Sequence, residues 1–236
     1  MHSAYFAAGI RRRASCTETL GVLRAERTIF LPGRMWYTYN LRNMKQKLND
    51  KDRRRMMKKV IVFLADGFEE IEALASVDLL RRAGIDVTTA SIMGRIEVTG
   101  AHDVVVKADV LAEDADYAAA DMIVLPGGGV GTQNLAKCEL VQKQCLAFAK
   151  DKLVSAICAA PTVLAGLGLL EGKNATCYPG MEGGMHGAIM SGETVTLDGN
   201  ITTGRAPGAA IPFALELIKR LAGEEAAASV KSDIVY

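Results

Sequence analysis

In Leu153-Val154-Ser155-Ala156-Ile157-Cys158-Ala159-Ala160-Pro161-Thr162, a short apolar run ends at a cysteine and passes at once into the start of a helix. The apolar run is typical of a buried strand, and proline is favourable in a first helical turn. A nucleophile at such a turn is held up into a cleft, beside the free N–H groups of the helix. These groups favour an anion, so we expect a lowered pKa for the Cys158 thiol. The alternative is a small buried cysteine without chemistry.

A second apolar strand, at 59–64, runs through Ala65-Asp66-Gly67-Phe68 into a helix that begins with acids. We interpret Glu69 and Glu70 as residues that complement the helix dipole. Glu72 differs, because the apolar positions 71, 74, 75, 77 and 79 mark the side of the helix expected to pack, and Glu72 lies close to it. Desolvation there raises the pKa of a carboxyl, and a protonated glutamate can donate a hydrogen bond to a thiolate. A solvated first-turn glutamate is the alternative.

A third apolar strand, at 121–125, ends in Pro126 and the run Gly127-Gly128-Gly129. Glycines let the backbone approach a ligand closely and turn its N–H groups inward. The run lacks the sequence context of a P-loop or of a dinucleotide fingerprint, so a nucleotide site is poorly supported. An oxyanion-type donor near Cys158 fits this glycine run better.

Strands are predicted near 59–64, 86–92, 121–125 and 153–157, and helices near 69–83, 132–150, 160–168 and 208–221. This alternation, with continuous apolar strands, indicates a mainly parallel sheet covered on both faces. Residues 194–203 predict a hairpin that turns at Asp198-Gly199. The chemistry of such sheets lies at the carboxyl ends of the strands, where Asp66-Gly67, Gly127-Gly128 and Cys158 can converge.

Four segments together resemble the ThiJ/PfpI superfamily, in its ThiJ branch, the Parkinsonism-associated deglycase group. In the family's order, within residues 58–236, they are Ala65-Asp66-Gly67-Phe68-Glu69-Glu70-Ile71-Glu72, Leu125-Pro126-Gly127-Gly128, Ala156-Ile157-Cys158-Ala159-Ala160-Pro161 and Thr203-Gly204-Arg205-Ala206-Pro207-Gly208. The resemblance implies a flavodoxin-like three-layer sandwich with a nucleophile elbow. It implies a nucleophilic or redox-active Cys158 with Glu72 as its protonated partner, and backbone N–H groups of Gly128 and Ala159 that face the site. The protease-like branch usually has His directly after the cysteine, where this chain has Ala159.

The chain departs from part of the family's pattern at Tyr178. Some members carry His just before the proline that corresponds to Pro179, where it is thought to assist proton transfer. The three histidines of this chain are His2, His102 and His186, and none occupies that place. A phenol with a pKa near 10 is a poor base at neutral pH. Tyr178 is therefore predicted to line the pocket rather than to act as a catalytic residue.

The composition indicates a soluble, enzyme-sized domain, since 50% of the residues are hydrophobic and 23% are charged. No apolar run is long enough to span a membrane. The five cysteines are odd in number and form no C-x-x-C, which favours neither a disulfide framework nor a zinc site and indicates a reducing compartment. We expect Cys138 and Cys145 to share a helix face and to serve packing. No metal and no cofactor are predicted.

The net charge of +1 hides an asymmetry. Residues 1–57 hold 13 Lys and Arg against 4 Asp and Glu, whereas residues 58–236 carry a net charge of −8. We expect the basic part to be a disordered extension or a misassigned start, with Met57 as the natural start of the domain. A nucleic-acid tail and an organelle presequence are the alternatives. A cytoplasmic protein is expected, or an organellar one if the presequence is genuine, with no membrane or nucleic-acid partner for the main domain.

With the resemblance, these residues predict a cysteine-dependent, cofactor-free enzyme that acts on 2-oxoaldehydes or their adducts, in glyoxalase- or deglycase-like chemistry. Cys158 attacks the carbonyl, Gly128 and Ala159 stabilise the oxyanion, and Glu72 shuttles the proton. The alternative is a redox-sensing or chaperone-type oxidative-stress protein in which Cys158 is oxidised. A homodimer is the expected assembly.

Overall fold

The computed structural model describes the backbone of residues 26–29 and 37–40 and the whole of residues 57–236. The chain divides into two units, Met1–Arg54 and Arg55–Tyr236. In the first unit, strands β1 (Glu26–Ile29) and β2 (Tyr37–Asn40) pair antiparallel. The predicted basic extension otherwise lies outside the described residues and stays a prediction.

The second unit alternates strands and helices. Its strands are β3 (Lys59–Leu64), β4 (Asp86–Ser91), β5 (Glu97–Thr99), β6 (Val105–Lys107), β7 (Val110–Leu111), β8 (Met122–Leu125), β9 (Leu153–Ile157), β10 (Asn174–Ala175), β11 (Ile189–Met190), β12 (Val195–Asp198) and β13 (Ile201–Gly204). Its helices are α1 (Glu70–Arg82), α2 (Gly129–Lys137), α3 (Glu139–Asp151), α4 (Pro161–Gly166), α5 (Ala210–Ala222) and α6 (Glu224–Asp233). None of the described helices is both long and apolar enough to cross a membrane.

The central sheet has seven strands in the order β12-β13-β9-β8-β3-β4-β7. Six of them run parallel, and only the edge strand β12 is antiparallel to its neighbour. The parallel sheet and the predicted hairpin are confirmed, but the hairpin turns at Gly199-Asn200, one residue later than predicted, because Asp198 still pairs in β12. Because β8 lies between β3 and β9, the loops that follow these three strands meet at one edge of the sheet.

Helices cover both faces of the sheet. In β3, Ile61 and Phe63 pack into a core formed with α2, α3 and α4, whereas Val60 and Val62 pack into a core formed with α1, α5 and α6. This alternation along one strand is the period-2 pattern of a sheet buried on both sides. The predicted three-layer sandwich is therefore confirmed.

The predicted single helix over 132–150 is wrong. The chain leaves helical geometry at Cys138, where φ is −80° and ψ is 108°, and α2 ends there before α3 begins. The break lets α3 place Val141, Cys145 and Phe148 in the core. Cys145 is buried while Cys138 lies at the break, so the two thiols do not share one helix face as expected.

The packed face of α1 also differs from the prediction. Ile71 is 59% exposed and Leu74 is 38% exposed, although both were assigned to the packed side. The predicted positions Val77 and Leu79 are buried, and Glu72 is buried with them. The helix is rotated from the expected orientation, and this carries Glu72 fully into the interior.

Candidate active site

Cys158 occupies a sharp turn between β9 and α4. Its φ is +66°, in the left-handed region that L-residues rarely adopt. Its N–H donates to the carbonyl of Gly204 over 2.9 Å, and its own carbonyl accepts from the N–H of Tyr178 over 2.7 Å. These bonds hold the strained backbone in place, and 7% of the residue remains exposed. The turn therefore has the geometry of a nucleophile elbow.

Two backbone N–H groups, those of Gly128 and Ala159, lie near the Cys158 thiol and act to lower its pKa. Gly128 precedes α2 with a φ of +93°, and a Cβ on it would overlap the carbonyl of Gly67 and come within 2.7 Å of the Glu69 nitrogen. Only glycine fits there. The two predicted donors thus converge on one sulfur atom, from the ends of two neighbouring strands.

The Glu72 carboxyl lies next to the same thiol and is entirely buried. Its Oε2 accepts from the N–H of Gly127 over 2.8 Å, and a Cβ on Gly127 would touch both this oxygen and the Cβ of Cys158. Oε1 is buried without a bond of ordinary hydrogen-bond geometry. Burial raises the pKa of Glu72 to about 7, against the hydrogen bonds from Cys158 and Gly127, and the charge of Glu69 adds to the rise. The expected direction for Glu72 is confirmed.

The expected lowering of the Cys158 pKa is wrong. Burial, followed by the charge of Glu72 and the hydrogen bond to it, raises the pKa of Cys158 to about 12. The N–H groups of Gly128 and Ala159 act in the opposite direction but do not outweigh these effects. The helix start alone therefore does not ionise the thiol, because the sulfur is buried beside a second acidic group.

The two raised pKa values belong to one pair of interacting groups. The pair gives up its first proton near pH 7 and the second far above it. When Glu72 keeps the remaining proton, its carboxyl donates to the sulfur, and the thiolate has three donors with the N–H groups of Gly128 and Ala159. This arrangement can supply a nucleophile, a proton and an oxyanion site without any further residue.

With this geometry, comparison with known proteins identifies the family. The sequence pattern of the DJ-1/PfpI family matches residues 58–220. The chain belongs to the DJ-1/PfpI family. Its central sheet and elbow are thus those of a flavodoxin-like member of that family, as the sequence motifs predicted.

Relatives in the DJ-1/PfpI family match about 70% or more of the chain. "Protein DJ-1 homolog B" of Arabidopsis thaliana is 39% identical over 75% of this chain, but the matched region spans only 41% of that relative's length. "Deglycase PYRAB04690" of Pyrococcus abyssi is 31% identical over 69% of this chain and 99% of its own length. The solved structure of oxidised Toxoplasma gondii DJ-1 matches with a TM-score of 0.73 and 34% identity, over 76% of this chain and 98% of that one.

Tyr178 lies at the edge of the site, in the place where some DJ-1/PfpI members carry His. Tyr178 is 45% exposed, and its backbone N–H donates to the carbonyl of Cys158. His102 contacts the start of α1, through Glu70. Its Nδ1 lies 2.7 Å from Oε2 of Glu70, and this bond raises the pKa of His102. His102 thus binds the start of α1 and does not replace the family His.

One group of side chains in the described part of the chain has the composition of a cation site, Glu69, Glu70 and His102, whose candidate ligand atoms lie within 4.8 Å of one another. Oε2 of Glu69 already accepts from the N–H of Glu72 over 2.8 Å. Both oxygens of Glu70 already bind His102, at its N–H and its ring. Because N–H donors satisfy these oxygens, we do not assign a metal to the group.

Two further residues belong to the site. The sequence does not distinguish Gly127 from the glycines that follow it, but in the structure it lies between Glu72 and Cys158. The sequence predicts that Glu69 complements the helix dipole, and in the structure its side chain also caps the backbone of Glu72. A usable signal for Glu69 was its place three residues before Glu72, which is the spacing of a helix cap to the N–H that it binds.

Proposed function

We propose that this chain is a cysteine-dependent, cofactor-free enzyme that acts on 2-oxoaldehydes or their adducts, in glyoxalase- or deglycase-like chemistry. The observation that carries the proposal is the pairing of Cys158 with the buried carboxyl of Glu72 beneath two backbone N–H donors. The deglycase among the relatives supports the same reaction class.

The reaction begins with attack of the Cys158 sulfur on the aldehyde carbon, which forms a carbon–sulfur bond. The electron pair of the carbonyl moves to its oxygen, where the N–H groups of Gly128 and Ala159 stabilise it. Glu72 gives its proton to this oxygen, and the product is a hemithioacetal. Each group acts from the position that it already holds beside the sulfur.

The next step moves hydrogen between two carbons of the substrate. The carboxylate of Glu72 takes the proton from the former aldehyde carbon, and the ketone oxygen takes up a proton, which gives an enediol. The neighbouring carbon then receives the proton from Glu72 while the hydroxyl of the former aldehyde carbon loses its proton, and this leaves a thioester on Cys158. Water then hydrolyses the thioester, releasing a 2-hydroxy acid and restoring the thiol. Oxidation and reduction balance within the substrate, so no external redox partner is required.

The test is turnover of methylglyoxal by the purified full-length chain, with the 2-hydroxy acid identified as product. Cys158→Ser should abolish turnover, and Glu72→Gln should lower it by ~100-fold or more because general acid–base help is lost. Cys145→Ser is the matched control, since that thiol is buried in the core away from the site. Turnover that survives Cys158→Ser would contradict the proposal.

A redox-sensing role is the second candidate. Neither Gly128 nor Ala159 donates its N–H to a backbone carbonyl within the described residues, so both are free for the oxygens of a Cys158 sulfinic acid. The likeness to an oxidised DJ-1 structure favours testing this role. Mass spectrometry after peroxide treatment should find two added oxygens on Cys158 and none on Cys145. An unmodified Cys158 would contradict the redox role.

A further inference from the structure

Glu69 is an uncommon residue for the place that it occupies. It is the N-cap of α1, with an extended backbone, and its Oε2 accepts from the N–H of Glu72 over 2.8 Å. Short side chains such as Ser, Thr, Asp and Asn are preferred at N-caps, and they can satisfy the same N–H. Glu69 is instead a carboxylate that is only 7% exposed. A shorter capping residue would satisfy the same N–H, so helix capping alone does not explain the choice of glutamate.

Glu69, Glu72 and Gly127 form a closed ring of three hydrogen bonds. The N–H of Glu69 donates to the carbonyl of Gly127 over 3.1 Å. The N–H of Gly127 donates to Oε2 of Glu72, and the N–H of Glu72 donates to Oε2 of Glu69, each over 2.8 Å. The ring ties the start of α1 to the loop after β8. It therefore fixes the Glu72 carboxyl at the point where it meets Cys158.

The charge of Glu69 also acts on Glu72. Two ionisable groups in the described structure influence the Glu72 carboxyl, Cys158 from the turn after β9 and Glu69 from its own helix start. Glu69 is a like charge and disfavours ionisation of Glu72. The adjacent Glu70 is instead paired with His102. The two neighbouring acids of this helix start thus have different roles.

We propose that Glu69 is a positioning residue, which holds the Glu72 carboxyl beside Cys158 and keeps it in its protonated, donating form. The inference rests on the proposed function, in which Cys158 acts as a thiolate. Above neutral pH the Glu72–Cys158 pair shares one proton. A negative charge next to Glu72 favours the arrangement with the proton on the carboxyl, which leaves the sulfur ionised and nucleophilic.

The experiment measures the rate of alkylation of Cys158 by iodoacetamide from pH 5 to pH 9, in the full chain. Glu69→Gln keeps an oxygen for the helix cap but removes the charge. We expect its alkylation rate at pH 8 to fall by up to about tenfold, equivalent to one pKa unit, because the shared proton moves to the sulfur. Glu70→Gln removes the same charge one residue away and should keep the wild-type profile. Equal profiles for wild type and Glu69→Gln, or equal losses in both variants, would overturn the proposal.

Glu69→Asp keeps both the charge and an acceptor and serves as the second variant. It should retain most of the wild-type alkylation rate at pH 8, and a loss as large as that of Glu69→Gln would contradict the proposal. It also provides the test if Glu69→Gln does not fold. Because alkylation is measured without an aldehyde, absence of methylglyoxal turnover would reject the proposed function while leaving this result intact.

Discussion

Gly127 donates its N–H to Oε2 of Glu72 over 2.8 Å, across 55 residues of sequence. A Cβ at position 127 would come within 2.6 Å of that oxygen and 2.7 Å of the Cβ of Cys158. The carboxyl and the thiol can therefore be neighbours only because the residue between them has no side chain. Glycine at position 127 is thus required for the site, as are the Glu72 carboxyl and the Cys158 thiol.

Gly127→Ala should separate the pair. We expect a loss of about 1–3 kcal/mol in the free energy of unfolding, as for other overpacked sites, together with slower alkylation of Cys158. Gly129→Ala is the matched control, because a Cβ there has no atom within 4 Å and the residue is the first of α2. Urea denaturation of both variants checks this, and equal stability of the two would contradict the close packing at Gly127.

Alkylation of Cys158 by iodoacetamide should increase through an inflection near pH 7. The reason is that the Glu72–Cys158 pair gives up its first proton there. Within the described residues no carboxyl pairs with Cys145, and burial raises its pKa to about 12, so it should show no inflection below pH 9. Peptide-resolved mass spectrometry distinguishes the two cysteines. A Cys158 profile that starts to rise only above pH 9 would mean that the sulfur keeps the shared proton.

The free energy of unfolding should depend on pH because of Glu72. Its folded-state pKa is raised from 4.5 to about 7, so its contribution to stability is fully present below pH 4.5 and is lost as the pH rises through 7. A shift of this size corresponds to roughly 3 kcal/mol. Glu72→Gln cannot titrate at this position. The difference in free energy of unfolding between this variant and wild type should therefore change by about 2–3 kcal/mol in favour of the variant from pH 5 to pH 8.

Urea denaturation at both pH values measures this gain, and Glu70→Gln supplies a control of opposite sign. Burial opposes ionisation of Glu70, but the hydrogen bonds from His102 outweigh it and lower its pKa. Glu70 therefore adds stability above its unfolded-state pKa, and removing it should cost stability at pH 8 more than at low pH. If the free energy of unfolding of both variants, relative to wild type, changed in the same direction between pH 5 and pH 8, the roles given to Glu72 and Glu70 would be contradicted.

Tyr178→Phe should change methylglyoxal turnover by less than about threefold, since a phenol is a poor base at neutral pH. Tyr178→His should raise the turnover rate more than the rate of Cys158 oxidation by peroxide, because an imidazole can transfer protons near neutral pH. Steady-state rates of the three proteins test this. Loss of turnover in Tyr178→Phe would make the phenol a catalytic group.

The strand positions, the parallel sheet and the grouping of Glu72, Gly128 and Cys158 could be predicted from the sequence, because apolar runs and turn residues are local signals. The break at Cys138 could not, since no Gly or Pro marks it and only the packing of α3 requires it. The pKa of Cys158 could not either, because it depends on burial of the sulfur and on the Glu72 carboxyl of α1, which is distant in sequence. The homodimer and the cytoplasmic location stay predictions.

The order β9-β8-β3 in the central sheet also has a kinetic consequence. The three strands end in residues that are widely separated in sequence, and β8 has to dock between its neighbours before Gly127 can bridge Glu72 and Cys158. Contacts of high sequence separation form slowly during folding. In a refolding experiment, the helical circular dichroism signal should therefore recover before Cys158 acquires its neutral-pH reactivity. This thiol is a built-in reporter of the moment at which the central strands have assembled.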